Sequence, residues 1–235
     1  MTPKMIYLAR RNPATTHEEF LDNWKGHSAL AGQYPHISRA FVEVAQARII
    51  QDDSLLPEAS RIYDGFNILS LTSLADALEV TDHPDARTTL YQDELRVFAS
   101  GVRQFSVLAC ESVLINGPRR PVVIAHFVRR RPGLDNNAFV RQWSGQHARS
   151  LINCSVFRVN VRRFAHNYVM FSPPAGFEYD GVAEYWFDNE DSVRRCFSDS
   201  VVHRLIFDQA GNFCDLVNSV LVLGRINLAR PAIES

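Results

Sequence analysis

The sequence predicts an α+β protein that consists of two tandem copies of one unit, and two repeated segments support this prediction. Segment 7–13 (Tyr-Leu-Ala-Arg-Arg-Asn-Pro) returns as segment 126–132 (His-Phe-Val-Arg-Arg-Arg-Pro), at an offset of 119 residues. The tripeptide Tyr-Asp-Gly at 63–65 returns at 179–181, at an offset of 116. Because the order of these landmarks is kept while their spacing drifts, they indicate an internal duplication. We expect a first unit at residues 1–115, a linker at 116–121 and a second unit at 122–235.

Each copy also has the apolar pattern of a strand, a helix, two strands, a helix and a strand. The first helix is the clearest element, because Thr16 and Glu19 have the spacing of a capping box and Asp135 can cap the second copy. We expect the later strands at 39–44, 66–71 and 105–115 in copy one, and at 162–168, 182–187 and 217–223 in copy two. This order is the ferredoxin-like arrangement, in which two helices cover one face of a four-stranded antiparallel sheet.

The other face of each predicted sheet carries no helix and still has to be buried. Two copies in one chain can bury these faces against each other. We therefore expect the two sheets to pack face to face around a barrel-like cavity, as an intramolecular dimeric α+β barrel.

Composition narrows the class of partner. The chain has 25 basic and 26 acidic residues, so it lacks the positive field with which proteins bind nucleic acid or anionic membranes. Its longest apolar runs are far shorter than the ~20 residues that cross a bilayer, and its start lacks the pattern of a signal peptide. The four cysteines are widely spaced, which favours reduced thiols over disulfides or zinc. We expect a cytoplasmic protein with a hydrophobic small-molecule partner, no cofactor and no metal.

The first helix of each copy carries an aromatic residue, a tryptophan and a histidine on one side. In copy one, Trp24 and His27 are three residues apart, and in copy two Trp143 and His147 are four apart. The tryptophans are either core residues or walls of a pocket. The histidines either interact with the helix dipole or act as general acid or base, because imidazole titrates near neutral pH.

Polar residues within apolar strands are the other candidates. Glu184 shares one face of its strand with Trp186, where a carboxylate needs a partner or has a raised pKa. It is therefore either catalytic or paired with an arginine, and Ile68 holds the equivalent place in copy one. His126 and Tyr7 occupy equivalent places on the first strands, where each either lines a cavity or is simply buried.

Residues 20–30 (Phe-Leu-Asp-Asn-Trp-Lys-Gly-His-Ser-Ala-Leu), their counterpart at 139–150, the Arg-Arg-x-Pro lead-in and the Tyr-Asp-Gly tripeptide resemble the EthD family of the dimeric α+β barrel superfamily. Asn167, near the end of strand two, adds to the resemblance. Related barrels perform dehydration, isomerisation, cyclisation, lyase chemistry and cofactor-free oxygenation. The resemblance therefore implies a range of reactions on hydrophobic compounds.

We expect a cofactor-independent enzyme that acts on an aromatic or polyketide-like molecule by histidine-assisted proton transfer, as a lyase, dehydratase or isomerase. The alternatives are a cofactor-free monooxygenase, a non-catalytic binding protein that accompanies an oxidase or degradation system and, more remotely, a haem protein. Two such chains could also form a homodimer. The expected catalytic residues are His147, His27 and Glu184, or an aspartate in its place, and the expected substrate-binding residues are Trp143, Trp24, His126, Tyr7 and Trp186.

Between the two histidines, His147 is the preferred acid or base. Its spacing from Trp143 is the commoner one in the family, and Glu184 and His126 lie in the same half of the chain. Replacement of His147 is therefore expected to reduce activity more than replacement of His27.

Overall fold

A computed structural model describes residues 1–233, and its strands form one closed, eight-stranded antiparallel barrel. Their order around the barrel is β1-β3-β2-β8-β5-β7-β6-β4. The strands are β1 (Thr2–Ala9), β2 (Phe41–Ile49), β3 (Gly65–Leu71), β4 (Ser106–Ile115), β5 (Val122–Val128), β6 (Val161–Val169), β7 (Gly181–Phe187) and β8 (Val220–Arg230).

The barrel contains the ferredoxin-like strand order twice. β4-β1-β3-β2 is the sheet of the first unit, and β8-β5-β7-β6 is the equivalent sheet of the second. β2 pairs with β8, and β4 pairs with β6, so the units are joined along both edges. Segment 116–121 connects the units without regular structure. The sequence-based prediction of two ferredoxin-like sheets in one α+β barrel is confirmed.

The helices lie outside the barrel. Those of the first unit are α1 (His17–Ala31), α2 (Pro35–Ala40), α3 (Leu74–Asp82), α4 (Pro84–Arg87) and α5 (Thr89–Val97). Those of the second are α6 (Asn136–Val140), α7 (Ala148–Asn153), α8 (Ser155–Asn160), α9 (Glu190–Phe197) and α10 (Ser200–His203). The capping box at the start of α1 forms as predicted, since Thr16 and Glu19 each accept a hydrogen bond from the other's backbone N–H. No helix of residues 1–233 is long and apolar enough to span a membrane.

A π-helical segment, Arg141–His147, joins α6 to α7 without a break in the helical backbone. A π-helical turn holds more residues than an α-helical turn, and π-bulges can absorb an inserted residue. This segment begins just before Trp143 and ends at His147, where the second copy has one residue more than the first. The unequal tryptophan–histidine spacing is therefore taken up locally.

The repeated Tyr-Asp-Gly tripeptide and the repeated tryptophan are in contact in both units. A Cβ atom on Gly65 would lie 2.5 Å from the Trp24 ring, and one on Gly181 would overlap the Trp143 ring. Each tryptophan therefore packs onto the first residue of β3 or β7, where only glycine leaves enough room.

The inside of the barrel is a packed core. Apolar side chains such as Ile6, Phe66, Val123 and Phe127 fill its middle, as expected for an eight-stranded barrel. Side chains therefore occupy the middle of the space between the two sheets, where a cavity was expected, and a cavity of about 240 Å³ remains beside Leu8 and Phe177.

Two strand boundaries also differ from the prediction. Residues 35–40 form α2 with Pro35 at its first position, so β2 begins at Phe41 and continues to Ile49. β8 begins at Val220, because Asp215 accepts hydrogen bonds from the backbone N–H groups of Asn218 and Ser219 and holds a turn before it. β8 continues to Arg230 because its second half pairs with β2 of the other unit.

Candidate functional site

Two adjacent cavities lie between the sheet of the first unit and its helices. Their volumes are about 270 Å³ and 150 Å³, a total size suited to a small organic ligand. Most of the wall is apolar, and the cavities share Tyr7, Ala31, Ile37, Phe41 and Leu69. The outer face of the first sheet therefore offers a binding site for a small ligand.

The Tyr7 hydroxyl lies between the two cavities and accepts two hydrogen bonds. Nε1 of Trp24 donates at 3.0 Å and Nδ2 of Asn67 donates at 2.9 Å. Burial raises the pKa of Tyr7 to about 12, although both hydrogen bonds act in the opposite direction. The hydroxyl therefore keeps its proton at neutral pH and can donate it to a ligand. Trp24 is fully buried behind Tyr7 and holds the hydroxyl, whereas it was expected to form a pocket wall.

His27 lines the smaller cavity and pairs with a carboxylate. Its Nδ1 is 2.8 Å from Oδ2 of Asp93, whose other oxygen accepts a hydrogen bond from Arg96. Burial lowers the pKa of His27, and the contact with Asp93 opposes this effect. A neutral imidazole donates Nδ1–H to Asp93, and its Nε2 then carries a lone pair that can accept a proton.

Glu94, which the sequence analysis did not single out, lines the larger cavity with Tyr7. Its Oε2 accepts a hydrogen bond from the backbone N–H of Val102 at 2.8 Å. Burial raises the pKa of Glu94 to about 7. This carboxyl group can therefore donate or accept a proton near neutral pH.

Sequence reasoning also missed Asn67, although a signal for it existed. Asn67 interrupts the apolar residues of β3, just as Glu184 interrupts those of β7. Glu94 had no such signal, because it stands among charged residues at 93–96 on a half-exposed helix.

The equivalent space of the second unit is largely filled. The ring of His166 stacks on Trp143, with centroids 3.9 Å apart, and takes the place that Gln46 has in the first unit. His126 replaces Tyr7 and lies on the helix-covered face, as the alternation along its strand predicted. The cavity beside His147 measures only about 80 Å³.

Three buried histidines of the second unit, His126, His147 and His166, are held in the neutral form. Burial lowers the pKa of His147 to about 4 and that of His126 to about 3, with a smaller contribution from the neighbouring His147. Burial also lowers the pKa of His166. Among the described residues, none forms a hydrogen bond with His147 as Asp93 does with His27.

Glu184 and Trp186 point into the barrel, away from all of these histidines. Oε1 of Glu184 accepts hydrogen bonds from Lys4 at 2.6 Å and Asn167 at 2.8 Å, and Oε2 accepts one from Trp186 at 2.9 Å. Lys4 also binds Glu111 at 2.6 Å. Burial alone would raise the pKa of Glu184, but the charges of Lys4 and Arg119 hold it well below its usual range.

The expectation that Glu184 needs a partner is met, but the partner is a lysine instead of the arginine that was expected. The structure brings together Tyr7, Trp24 and His27 in one unit and His126, Trp143 and His147 in the other, while Glu184 and Trp186 belong to neither group.

Comparison with known proteins agrees with this architecture. Residues 131–216 match the family described as the EthD domain. This stretch runs from the turn after β5 to the turn before β8, so the similarity to an EthD domain lies within the second unit. No curated protein matches the chain.

Solved structures share the barrel over nearly the whole length of the chain. An anthrone oxidase-like protein has a TM-score of 0.66 at 8% identity, with 97% of this chain and 92% of that chain covered. A provisionally named monooxygenase of Fusobacterium nucleatum has a TM-score of 0.57 at 7% identity, with coverage of 97% and 93%. A chlorite dismutase variant from Candidatus Nitrospira defluvii has a TM-score of 0.54 at 11% identity, with coverage of 95% and 90%. At such low identities these similarities show the dimeric α+β barrel fold alone.

Proposed function

We propose that the first unit is a cofactor-independent enzyme site that binds a hydrophobic, aromatic or polyketide-like ketone or phenol and moves a proton on it. The observation that carries this proposal is the placement of His27, with its partner Asp93, and of the Tyr7 hydroxyl on the walls of adjoining apolar cavities. A positioned base and a positioned hydrogen-bond donor in an apolar site are the parts that enolisation requires.

The chemistry follows from the two groups. A bound carbonyl oxygen accepts the Tyr7 O–H hydrogen bond, which stabilises the negative charge that develops when a neighbouring C–H loses its proton. Because Trp24 and Asn67 already donate to Tyr7, its own O–H is a stronger donor. Nε2 of His27 takes the carbon-bound proton, and the Asp93 carboxylate stabilises the imidazolium that forms.

A second proton carrier makes the site suitable for isomerisation or dehydration. Both reactions need a proton returned to a different atom from the one that lost it. Glu94 borders the larger cavity and has a pKa of about 7, so it can supply this proton at neutral pH.

His27 replaces His147 as the proposed base because of its surroundings. His27 has both a carboxylate partner and a cavity of ligand size. His147 borders a cavity of about 80 Å³, too small for an aromatic substrate, and its pKa of about 4 makes it a weak base. In this proposal the second unit closes the barrel and supports the first.

A cofactor-free oxygenase is the second candidate. The enolate or phenolate that His27 would generate is electron-rich and can react with dioxygen, and the names of two structural neighbours, anthrone oxidase-like protein and monooxygenase, favour this possibility. For an anthrone, oxidation of the CH₂ group to a carbonyl would consume one O₂ and release one water per turnover. Oxygen uptake therefore distinguishes the two candidates.

The proposal can be tested without knowledge of the natural substrate. Anthrone in D₂O, kept anaerobic, should exchange its acidic carbon-bound hydrogens for deuterium faster when the protein is present, as followed by NMR. We expect His27→Gln and Tyr7→Phe each to reduce this catalysed exchange by ~10²- to 10⁴-fold, which is the usual contribution of a positioned acid or base. Thermal melts and equilibrium dialysis should show that both variants fold and still bind the ligand.

His147→Gln is the matched control, since it removes the equivalent histidine of the second unit. Its exchange rate should stay near that of the wild type. If His147→Gln lost the catalysed deuterium exchange while His27→Gln kept it, the active site would have to be assigned to the second unit instead. Binding of the aromatic ligand without any catalysed exchange or oxygen uptake would instead indicate a non-catalytic binding protein.

A further inference from the structure

Three potential metal ligands meet at the outer rim of the larger cavity. His36 comes from α2, His83 lies at the turn between α3 and α4, and Asp85 is in α4. One ligand atom from each residue lies within 4.8 Å of those of the other two, and all three residues are half-buried. None of them takes part in the site described above.

One contact within this cluster has the spacing of two ligands around a single metal ion. Nδ1 of His83 is 3.3 Å from Oδ2 of Asp85. Two ligands of one tetrahedral ion are ~3.3 Å apart when each bond is ~2.0–2.1 Å long. The side chains of His83 and Asp85 are therefore already spaced to share a cation, which would replace the 3.3 Å hydrogen bond that His83 Nδ1 accepts from the backbone N–H of Asp85.

His36 supplies the independent observation. Its Nε2 atom is buried and has no hydrogen-bond partner among the described residues. An unsatisfied buried nitrogen destabilises the folded protein unless something binds it. The His36 ring stacks on the His83 ring with centroids 3.7 Å apart, so an ion that binds both imidazoles would turn them out of this stack over a distance set by ligand atoms within 4.8 Å of one another.

We propose that His36, His83 and Asp85 bind a divalent cation of the zinc type. Two imidazole nitrogens and one carboxylate oxygen suit Zn²⁺, Co²⁺ or Ni²⁺, whereas Mg²⁺ and Ca²⁺ prefer oxygen ligands alone. Three protein ligands leave a fourth position, which water fills at this half-exposed place. The site departs from the sequence-based expectation that the chain needs no metal.

The position of the ligands gives the ion a structural role. α2 contributes Ile37 to the wall of the larger cavity, and α3 and α4 contribute Val80 and Ala86. An ion held by His36, His83 and Asp85 would tie these helices together and stiffen one wall of the cavity. This inference does not depend on the reaction proposed for the site.

The test uses the full chain without a purification tag, after treatment with EDTA and dialysis. Titration with Co²⁺ should produce the visible absorption of a tetrahedral cobalt site, saturating at one ion per chain and abolished by Zn²⁺. Calorimetry with Zn²⁺ should give the same stoichiometry, and Zn²⁺ should raise the melting temperature because it binds the folded state.

Ligand variants decide the assignment. Loss of an outer-shell partner typically weakens metal binding ~10- to 100-fold, so loss of a direct ligand in His36→Gln, His83→Gln or Asp85→Asn should weaken it by ~100-fold or more. His203→Gln is the matched control, because Nε2 of His203 is 3.0 Å from Oε1 of Glu58 in another half-exposed histidine–carboxylate pair.

The control variant should bind like the wild type, and melts without metal should show that all four variants fold. Absence of saturable binding at one ion per chain would overturn the proposal. So would binding that survives loss of His36 or His83, or that falls equally in His203→Gln, since these outcomes indicate adventitious surface binding only.

Discussion

Replacement of His147 by glutamine should make the protein less sensitive to acid. His147 is only 8% exposed, and burial lowers its pKa to about 4 in the folded state, against an ordinary value of 6.5. The folded protein therefore resists a proton that the unfolded chain accepts. The contribution of neutral His147 to stability is complete above the unfolded pKa and is lost as the pH falls through 6.5 towards 4.

The size of the effect follows from these two pKa values. At about pH 5, nearly all unfolded chains carry a proton on His147 while about a tenth of folded molecules do, so the wild type loses about 2 kcal/mol from this group relative to about pH 7.5. His126, with a pKa of about 3, acts in the same direction. Glu94, with a raised pKa of about 7, acts in the opposite direction, because the folded state favours its protonated form as the pH falls from 7 to 4.5.

The assay is urea denaturation followed by far-ultraviolet circular dichroism at both pH values. The quantity of interest is the change in unfolding free energy between them, which should be smaller by about 2 kcal/mol in His147→Gln than in the wild type. His126 and Glu94 are present in both proteins, so their contributions largely cancel when the variant is compared with the wild type. His203→Gln, at an exposed position, should behave like the wild type. Equal acid sensitivity in His147→Gln and the wild type would refute the assignment of His147 as a buried neutral residue.

Two further substitutions test the packing. Gly65→Ala places a Cβ atom 2.5 Å from Trp24 and should lower the free energy of unfolding by ~1–3 kcal/mol, whereas Gly145→Ala, with its nearest neighbour at 3.7 Å, should not show this clash. Lys4→Met leaves the buried Glu184 without its paired cation, while Glu111 keeps Arg163, and should lower stability by ~3–5 kcal/mol. Urea denaturation measures both, and a stable Lys4→Met variant would show that water or another cation reaches the barrel interior.

Local patterns allowed much of the fold to be predicted. A capping box depends on residues three apart, so the cap formed by Thr16 and Glu19 could be predicted from the sequence. Strand alternation depends on residues two apart, so the placement of Glu184 and Trp186 on one face of their strand could be predicted as well. The repeat also helped, because an element predicted in one unit could be compared with the equivalent segment of the other. Strand ends were harder to predict, since β8 extends to Arg230 only because a strand of the other unit pairs with it.

The candidate site could be predicted only in part. Tyr7, Trp24 and His27 were identified, but their partners Asn67 and Asp93 lie 60 or more residues away in the chain and meet them through sheet pairing and helix packing. The partner of Glu184 could not be predicted for the same reason, since Lys4 is 180 residues away. Which unit holds the site depends on how large a cavity the side chains leave between sheet and helices. In the second unit the stack of His166 on Trp143 fills this space, and no local sequence pattern predicts such a tertiary contact.

The closed barrel also determines how two copies of this chain can associate. An isolated ferredoxin-like unit has two unpaired sheet edges, and such edges attract a second strand. Here the pairs β2–β8 and β4–β6 use those edges within one polypeptide. Two chains would therefore meet through helices and loops, by contacts between side chains alone. Such contacts can be gained or lost through a few surface substitutions without any change in the barrel.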